Sequence, residues 1–292
     1  MSPNPASHWG TEAVDPYARS LPALKARFLI DRVPTTGRVL DIGSGGGKIL
    51  RTLARYKPGL ELYGCDVREP TEPPDVYSFS RMDRDLPFAD ESFDVVLIVD
   101  VLEHVADPRH LLAQAARVLR PHGHFIGYIP VEGEPFSFYE LFRRLLGRDL
   151  YVLTKEHVHA LTHREARSLV EAHFEITETR YAYHALGQLF DATFFAAARV
   201  KALRDLWWGY NVFYNSSAKS FSGAAGVMNR LLVAANAVAA TESALFARTR
   251  FASCGILVHA ASRKGAQGVL HRVSSDSQGS RAKARPVRLA DR

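Results

Sequence analysis

The stretch Val39–Leu50, VLDIGSGGGKIL, decides the fold. An apolar run ending in an acid passes into five small residues, Gly43 to Gly47, and then into a helix-like segment. Glycines gathered at one turn mean that the backbone bends where other residues cannot, or that it must come close to something. Strand, glycine turn and helix make the first unit of a doubly wound sheet, whose ligands bind at the carboxyl ends of the strands. Spacing tests two ligand classes. A phosphate-binding P-loop needs a glycine where Ile42 stands and a hydroxyl residue where Ile49 stands. A dinucleotide fingerprint needs its third glycine where Lys48 stands. Neither fits.

Outward from this loop, short apolar runs alternate with helical patterns. RVLDIG, LELYGCD, VYSFSRM, FDVVLIVD and GHFIGYIP read as strands, KILRTLARY and PRHLLAQAARVLR as helices, with an earlier helix around Leu21 to Val33. The alternation predicts an α/β fold, a parallel sheet covered on both faces. After Pro130 the pattern changes. THREARSLVEAHF predicts a helix opened by a Thr162–Glu165 capping box, FEITETRYAY and CGILVHAASRK the last two strands.

Those two strands are separated by Leu186 to Arg250, rich in Phe, Trp, Tyr and Ala. Leu189, Thr193, Ala196, Val200, Leu203 and Trp207 recur at spacings of three and four, as do Val227, Leu231, Ala234, Val238, Thr241 and Leu245. Two amphipathic helices joined by LWWGYNVFYNSSA are expected. Their use is open between a substrate cap, a helix pair lying in a membrane surface, and a dimer interface. The division that follows is a helical lead 1–37, a core 38–185, an insertion 186–250, a last strand 251–263 and a disordered basic tail 264–292.

The formal charge of +6 invites a nucleic-acid reading, but its distribution does not. Residues 264–292 hold seven basic and two acidic residues and the insertion seven and three, so the remainder is net negative. Two distant cysteines, Cys65 and Cys254, give no disulfide framework and point to a reducing cytoplasm. No secretory leader is read at the N-terminus and no bilayer-spanning run is found.

The loop's pattern, two apolar residues, Asp41, an apolar residue and Gly-x-Gly-x-Gly, resembles the first motif of class I S-adenosylmethionine-dependent methyltransferases. Asp66 closing LYGCD, DLPFADESFDVVLIVDVLEHVADP and RVLRPHGHFIGYIP carry the resemblance from Val39 to Pro130, especially to the ubiquinone and menaquinone biosynthesis branch. It implies a Rossmann-like, mostly parallel sheet with its last strand antiparallel, here carrying a helical insertion before that strand. It implies S-adenosylmethionine as cofactor. Asp41 would meet its ammonium, and Gly43, Ser44, Gly45 and Gly47 would approach its amino-acid part. Asp66 with Val67 would take the ribose, Met82 or Asp83 the adenine, and Asp100 would stand where methionine end and substrate converge.

For the transfer itself, the sulfonium already activates the methyl group, so alignment carries most of the work. A hydroxyl acceptor would add a general base, and His104 at the end of LEHV is a candidate. Glu132 and His157, with Tyr128 behind them, lie in the stretches where this family varies its substrate contacts. The spacing of His157, His159 and His163 raises a metal, but no matched cysteine or carboxylate set accompanies it, and none is expected. The expected acceptor is small and hydrophobic, or lipid- or glycan-linked, methylated at oxygen or carbon. The rival is a non-catalytic cofactor-binding scaffold. A nucleic-acid or protein methyltransferase ranks lower, since Asp100-Val101-Leu102-Glu103 replaces the Asn/Asp-Pro-Pro-aromatic motif of amino-methylating enzymes. Expected partners are that acceptor, the membrane's inner face through 186–250 and a second copy, with no specific nucleic acid; the expected location is cytoplasmic, at most peripheral on the membrane.

Overall fold

A computed structural model describes residues 12–70, 72–147, 157–198 and 223–264. Helix α1 (Leu21–Ile30) starts at Ser20, whose hydroxyl accepts from the Ala23 N–H. Strand β1 (Thr36–Ile42) leads through the glycine loop into α2 (Lys48–Tyr56), followed by β2 (Gly59–Asp66), β3 (Ser78–Arg81), β4 (Phe93–Val99), α3 (Pro108–Val118) and β5 (Leu119–Pro130). After β5 come α4 (Phe138–Leu146), α5 (His163–Glu171), β6 (Phe174–Ala182), α6 (Ala185–Ala198), α7 (Gly223–Leu245) and β7 (Gly255–Ser262).

The seven strands form one sheet in the order β3-β2-β1-β4-β5-β7-β6, and β7 alone runs against the others. Alternate residues of the same strands serve two cores. Leu40, Ile42, Val96 and Ile98 face one side with Leu112 and Phe125, while Val39, Val95 and Leu97 face the other with Leu53 and Ile126. Burial on both faces explains the nearly continuous apolar runs of β1 and β4. The chain winds outward from β1 to β3, then returns to β4 on β1's other edge. That reversal opens a crevice at the carboxyl ends of β1 and β4.

The expected elements are present, the Thr162–Glu165 capping box included. Helix α4 is an addition, forming within PFSFYELFRRLLG behind a Ser137 cap. The three-and-four stripe of α7 faces away from the core: Val227, Leu231, Val238 and Leu245 are all exposed. Its buried face is small and polar, Asn236, Ala239, Ala240 and Ser243. The Asn236 side chain accepts from the Leu21 N–H at 3.0 Å and Ser243 Oγ from the Tyr183 N–H at 3.0 Å, so hydrogen bonds chose the packed face. On α6, likewise, Leu189 is exposed while Gln188 and Ala192 are buried. Gln188 accepts from the Phe138 N–H and donates to the Tyr183 and Ala252 carbonyls, joining α4, the β6 exit and the β7 entry. Val200, Leu203, Trp207, the aromatic linker and the tail beyond Lys264 lie outside the described residues. Among the described residues, no helix is long and apolar enough to cross a membrane.

Candidate active site

The glycine loop bends as its composition requires: Gly43, Gly45 and Gly47 all have positive φ. The Gly43 and Ser44 N–H groups donate to the Cys65 carbonyl, tying the loop to the end of β2. A side chain on Gly47 would stand 2.5 Å from the Tyr77 ring, whereas one on Gly45 would enter open space. Gly45 is therefore glycine for its backbone angle, and it leaves a bare peptide facing the crevice.

Two carboxylates flank this peptide. Asp41, fully enclosed at the end of β1, has its pKa pushed up to about 8, first by burial and then by the charge of Asp66. Asp66 accepts from the Gly45 N–H at 2.9 Å and from the Arg68 N–H at 3.0 Å. Ser44 Oγ and Tyr77 OH are buried with no hydrogen-bond partner among the described residues. Ser44 Oγ and the Tyr77 ring lie against Gly64 in β2, and the Tyr77 hydroxyl against Gly47. An uncompensated buried acid, two orphan hydroxyls and an open backbone cradle are the groups that an ammonium- and hydroxyl-bearing ligand would satisfy. The donor set fits S-adenosylmethionine. Val67 is 53% exposed beside Asp66. Met82 is buried in the core and its N–H donates to the Asp66 carbonyl, while Asp83 is exposed.

Across the crevice, β4 ends in Asp100, held at φ 54°. Lys25 of α1 reaches both its carboxylate oxygens, at 2.7 and 2.8 Å, and lies 3.7 Å above the Tyr128 ring. Tyr128 is buried in β5 beside Tyr183. Beyond Asp100, Glu103 is 1% exposed, and its Oε2 has no partner among the described residues. Burial, then the charge of Asp100, pushes its pKa up to about 8. The Glu103 carbonyl accepts from the Val158 and His159 N–H groups, which brings His157 in from a distant part of the chain. The His104 and His157 rings meet edge to face at 4.7 Å, and His157 Nδ1 lies 3.0 Å from the Glu132 carboxylate. Burial opposes charge on His157, yet Glu132, Glu103 and Asp100 together raise its pKa above the ordinary imidazole value.

The four expected acceptor-side residues thus separate by position. His104, His157 and Glu132 form one cluster, and Tyr128 lies under Lys25. Of the three spaced histidines, only His157 belongs here. His159 Nε2 bonds to the Val105 carbonyl and His163 Nε2 to Ser253, each a local structural role. Sequence reading missed Lys25, Tyr77 and Glu103. The first two come from segments with no glycine or acid signature. Glu103 was read only as evidence against another motif, although an acid inside an apolar run is itself a signal.

Residues 40–127 match the family model described as Methyltransferase domain. The chain is 31% identical over 144 residues to a ubiquinone biosynthesis O-methyltransferase of Hahella chejuensis, covering 44% of this chain and 58% of that protein. It is 34% identical over 125 residues to a demethylmenaquinone methyltransferase of Tropheryma whipplei, covering 40% and 50%. The chain thus spans about half the length of these curated relatives. Among solved structures, the 4+2 cyclase SpnF superposes with a TM-score of 0.51 at 18% identity, over 87% of this chain and 86% of that one, a likeness of fold alone. Together with the sheet order, these define the class: an α/β, Rossmann-like methyltransferase fold. Its segment 40–127 matches a methyltransferase domain and is similar to the ubiquinone and menaquinone biosynthesis methyltransferases.

Proposed function

We propose that this chain is an enzyme that methylates a small, hydrophobic oxygen or carbon acceptor, free or carried on a lipid. What supports it best is that two unlike sets of groups stand at the carboxyl ends of the neighbouring strands β1 and β4. The β1–β2 wall carries Asp41, Asp66 and the bare Gly45 peptide, and the β4–β5 wall carries Asp100, Glu103, His104 and His157.

Asp41 accepts the ammonium of the cofactor, Asp66 its ribose hydroxyls, and Ser44 and the Gly43–Gly47 backbone its amino-acid part. Bound there, S-adenosylmethionine supplies a sulfonium methyl group whose S–C bond breaks as the acceptor–carbon bond forms, the electron pair remaining on sulfur. The protein's part is alignment and exclusion of water. In the protein without a metal ion, His157 is the base for a hydroxyl acceptor, its Nδ1 steadied by Glu132. The apolar stripe on α7, with Leu186 and Leu189 on α6, supports a hydrophobic or membrane-held acceptor, because such a face turned outward suits an interfacial surface.

The test is transfer of a labelled methyl group from S-adenosylmethionine into metabolite and lipid extracts, beside calorimetry of cofactor binding. Label in an extractable small molecule is expected. Micromolar cofactor binding with no acceptor labelled in any extract would favour the scaffold reading, and no cofactor binding would sink both.

A further inference from the structure

We propose that Glu103, His104 and His157 form a binding site for one divalent transition-metal ion of the zinc class. The ligand atoms of these three side chains all lie within 4.8 Å of one another. Two imidazoles and one carboxylate are a donor set that binds zinc and related ions and leaves coordination positions open. The second observation is Glu103 Oε2, a carboxylate oxygen in a side chain 1% exposed, with no partner among the described residues. A buried carboxyl oxygen left without a partner is costly, and a metal ion that displaces the carboxyl proton is a group that removes the cost.

The surroundings are built for such an ion. The Glu132 carboxylate, 3.0 Å from His157 Nδ1, takes that N–H and makes Nε2 the basic nitrogen, the carboxylate–histidine–metal arrangement in which an outer acid orients the ligand. Two N–H groups on the Glu103 carbonyl fix the segment that carries His157, so the three donors are pre-positioned by backbone rather than by loop chance. Asp100 and Glu132 bring two further carboxylates to this corner, the first held by Lys25 and the second by His157.

The site's role rests on the methyltransferase reading above. An ion at the mouth of the β4 strand would coordinate an acceptor bearing two adjacent oxygens, a vicinal diol, catechol or hydroxy-carbonyl, and lower the pKa of the hydroxyl to be methylated. In that loaded form the imidazoles are ligands, and the acceptor's proton leaves to solvent.

The experiment uses the full chain, stripped with a chelator and titrated with zinc chloride, and separately with cobalt chloride to read ligand-field bands. One zinc per chain is expected, with visible cobalt bands. His157→Ala and Glu103→Gln should each weaken zinc binding about 10- to 100-fold, while His110→Ala, at a half-buried histidine outside the cluster that pairs with Asp85, should not. If His157→Ala does not fold, the near-isosteric Glu103→Gln decides. Substoichiometric uptake by the wild type at micromolar zinc, or unchanged affinity in a folded Glu103→Gln, overturns the site. Calorimetry with S-adenosylmethionine on the same preparations keeps the two proposals apart. Cofactor binding without zinc uptake removes only the metal site, and zinc uptake without cofactor binding removes only the methyltransferase reading.

Discussion

Asp66 holds the glycine loop and, on the proposed function, the cofactor as well. Its carboxylate accepts from the Gly45 and Arg68 N–H groups and retains lone pairs toward the crevice. Asp66→Ala should weaken S-adenosylmethionine binding about 10- to 100-fold by calorimetry, since a charge-assisted contact and the loop's anchor go together. Asp41 predicts a pH effect. Unfolded, it ionises near the ordinary aspartate value of 3.8, whereas the folded chain holds the proton until about pH 8. Between those values the unfolded state binds fewer protons, so the cofactor-free protein loses stability as pH rises. Asp41→Asn should remove that loss, leaving the variant more stable than wild type by about 1–3 kcal/mol near pH 8, with the gap closing toward pH 5 in denaturant titrations. Its cofactor binding should fall. Both acids could be read from the sequence because each ends a strand at a fixed distance from the glycines. Glu103 could not be assigned this way, for its burial depends on a segment more than fifty residues later.

At the scale of elements, periodicity located the helices but did not say which face packs. In α7 the large apolar residues recur at helical spacing yet point outward, while Asn236 and Ser243 point inward to cap backbone N–H groups of α1 and the β6 exit. Apolar spacing measures where oil could be buried, not where a specific hydrogen bond is on offer. The energetics should therefore invert the usual order. Asn236→Ala should cost about 1–3 kcal/mol by leaving a buried N–H unsatisfied. Leu231→Gln, at an exposed position, should change stability by less than about 0.5 kcal/mol. Thermal unfolding of the two variants checks this. Flotation with lipid vesicles asks the separate question of what the outward face touches: the paired substitution Leu231→Gln, Val238→Gln should reduce vesicle binding if a membrane lies there.

Across the whole molecule, the strands were legible because β1 and β4 are buried on both faces, while the antiparallel direction of β7 was legible only through the family resemblance. The helix that completes the site was not legible in this role. Lys25 lies in α1, outside residues 40–127, yet it closes on Asp100 over the Tyr128 ring. Lys25→Ala should lower turnover at least about tenfold, with cofactor affinity changed less, because it unties the acceptor side while leaving Asp41 and Asp66 in place. Steady-state kinetics beside calorimetry separates those effects. The Lys25 contact also bears on how such an enzyme diverges. Cofactor chemistry is inherited through β1 and β2, whereas α1 is held at Leu21 by Asn236 of α7 and at Lys25 by Asp100. On the proposed function, acceptor choice would be entrusted to helices whose sequence can drift without disturbing the glycine loop, and a lineage could exchange its substrate by rewriting α1 and α7 while its recognisable half stayed unchanged.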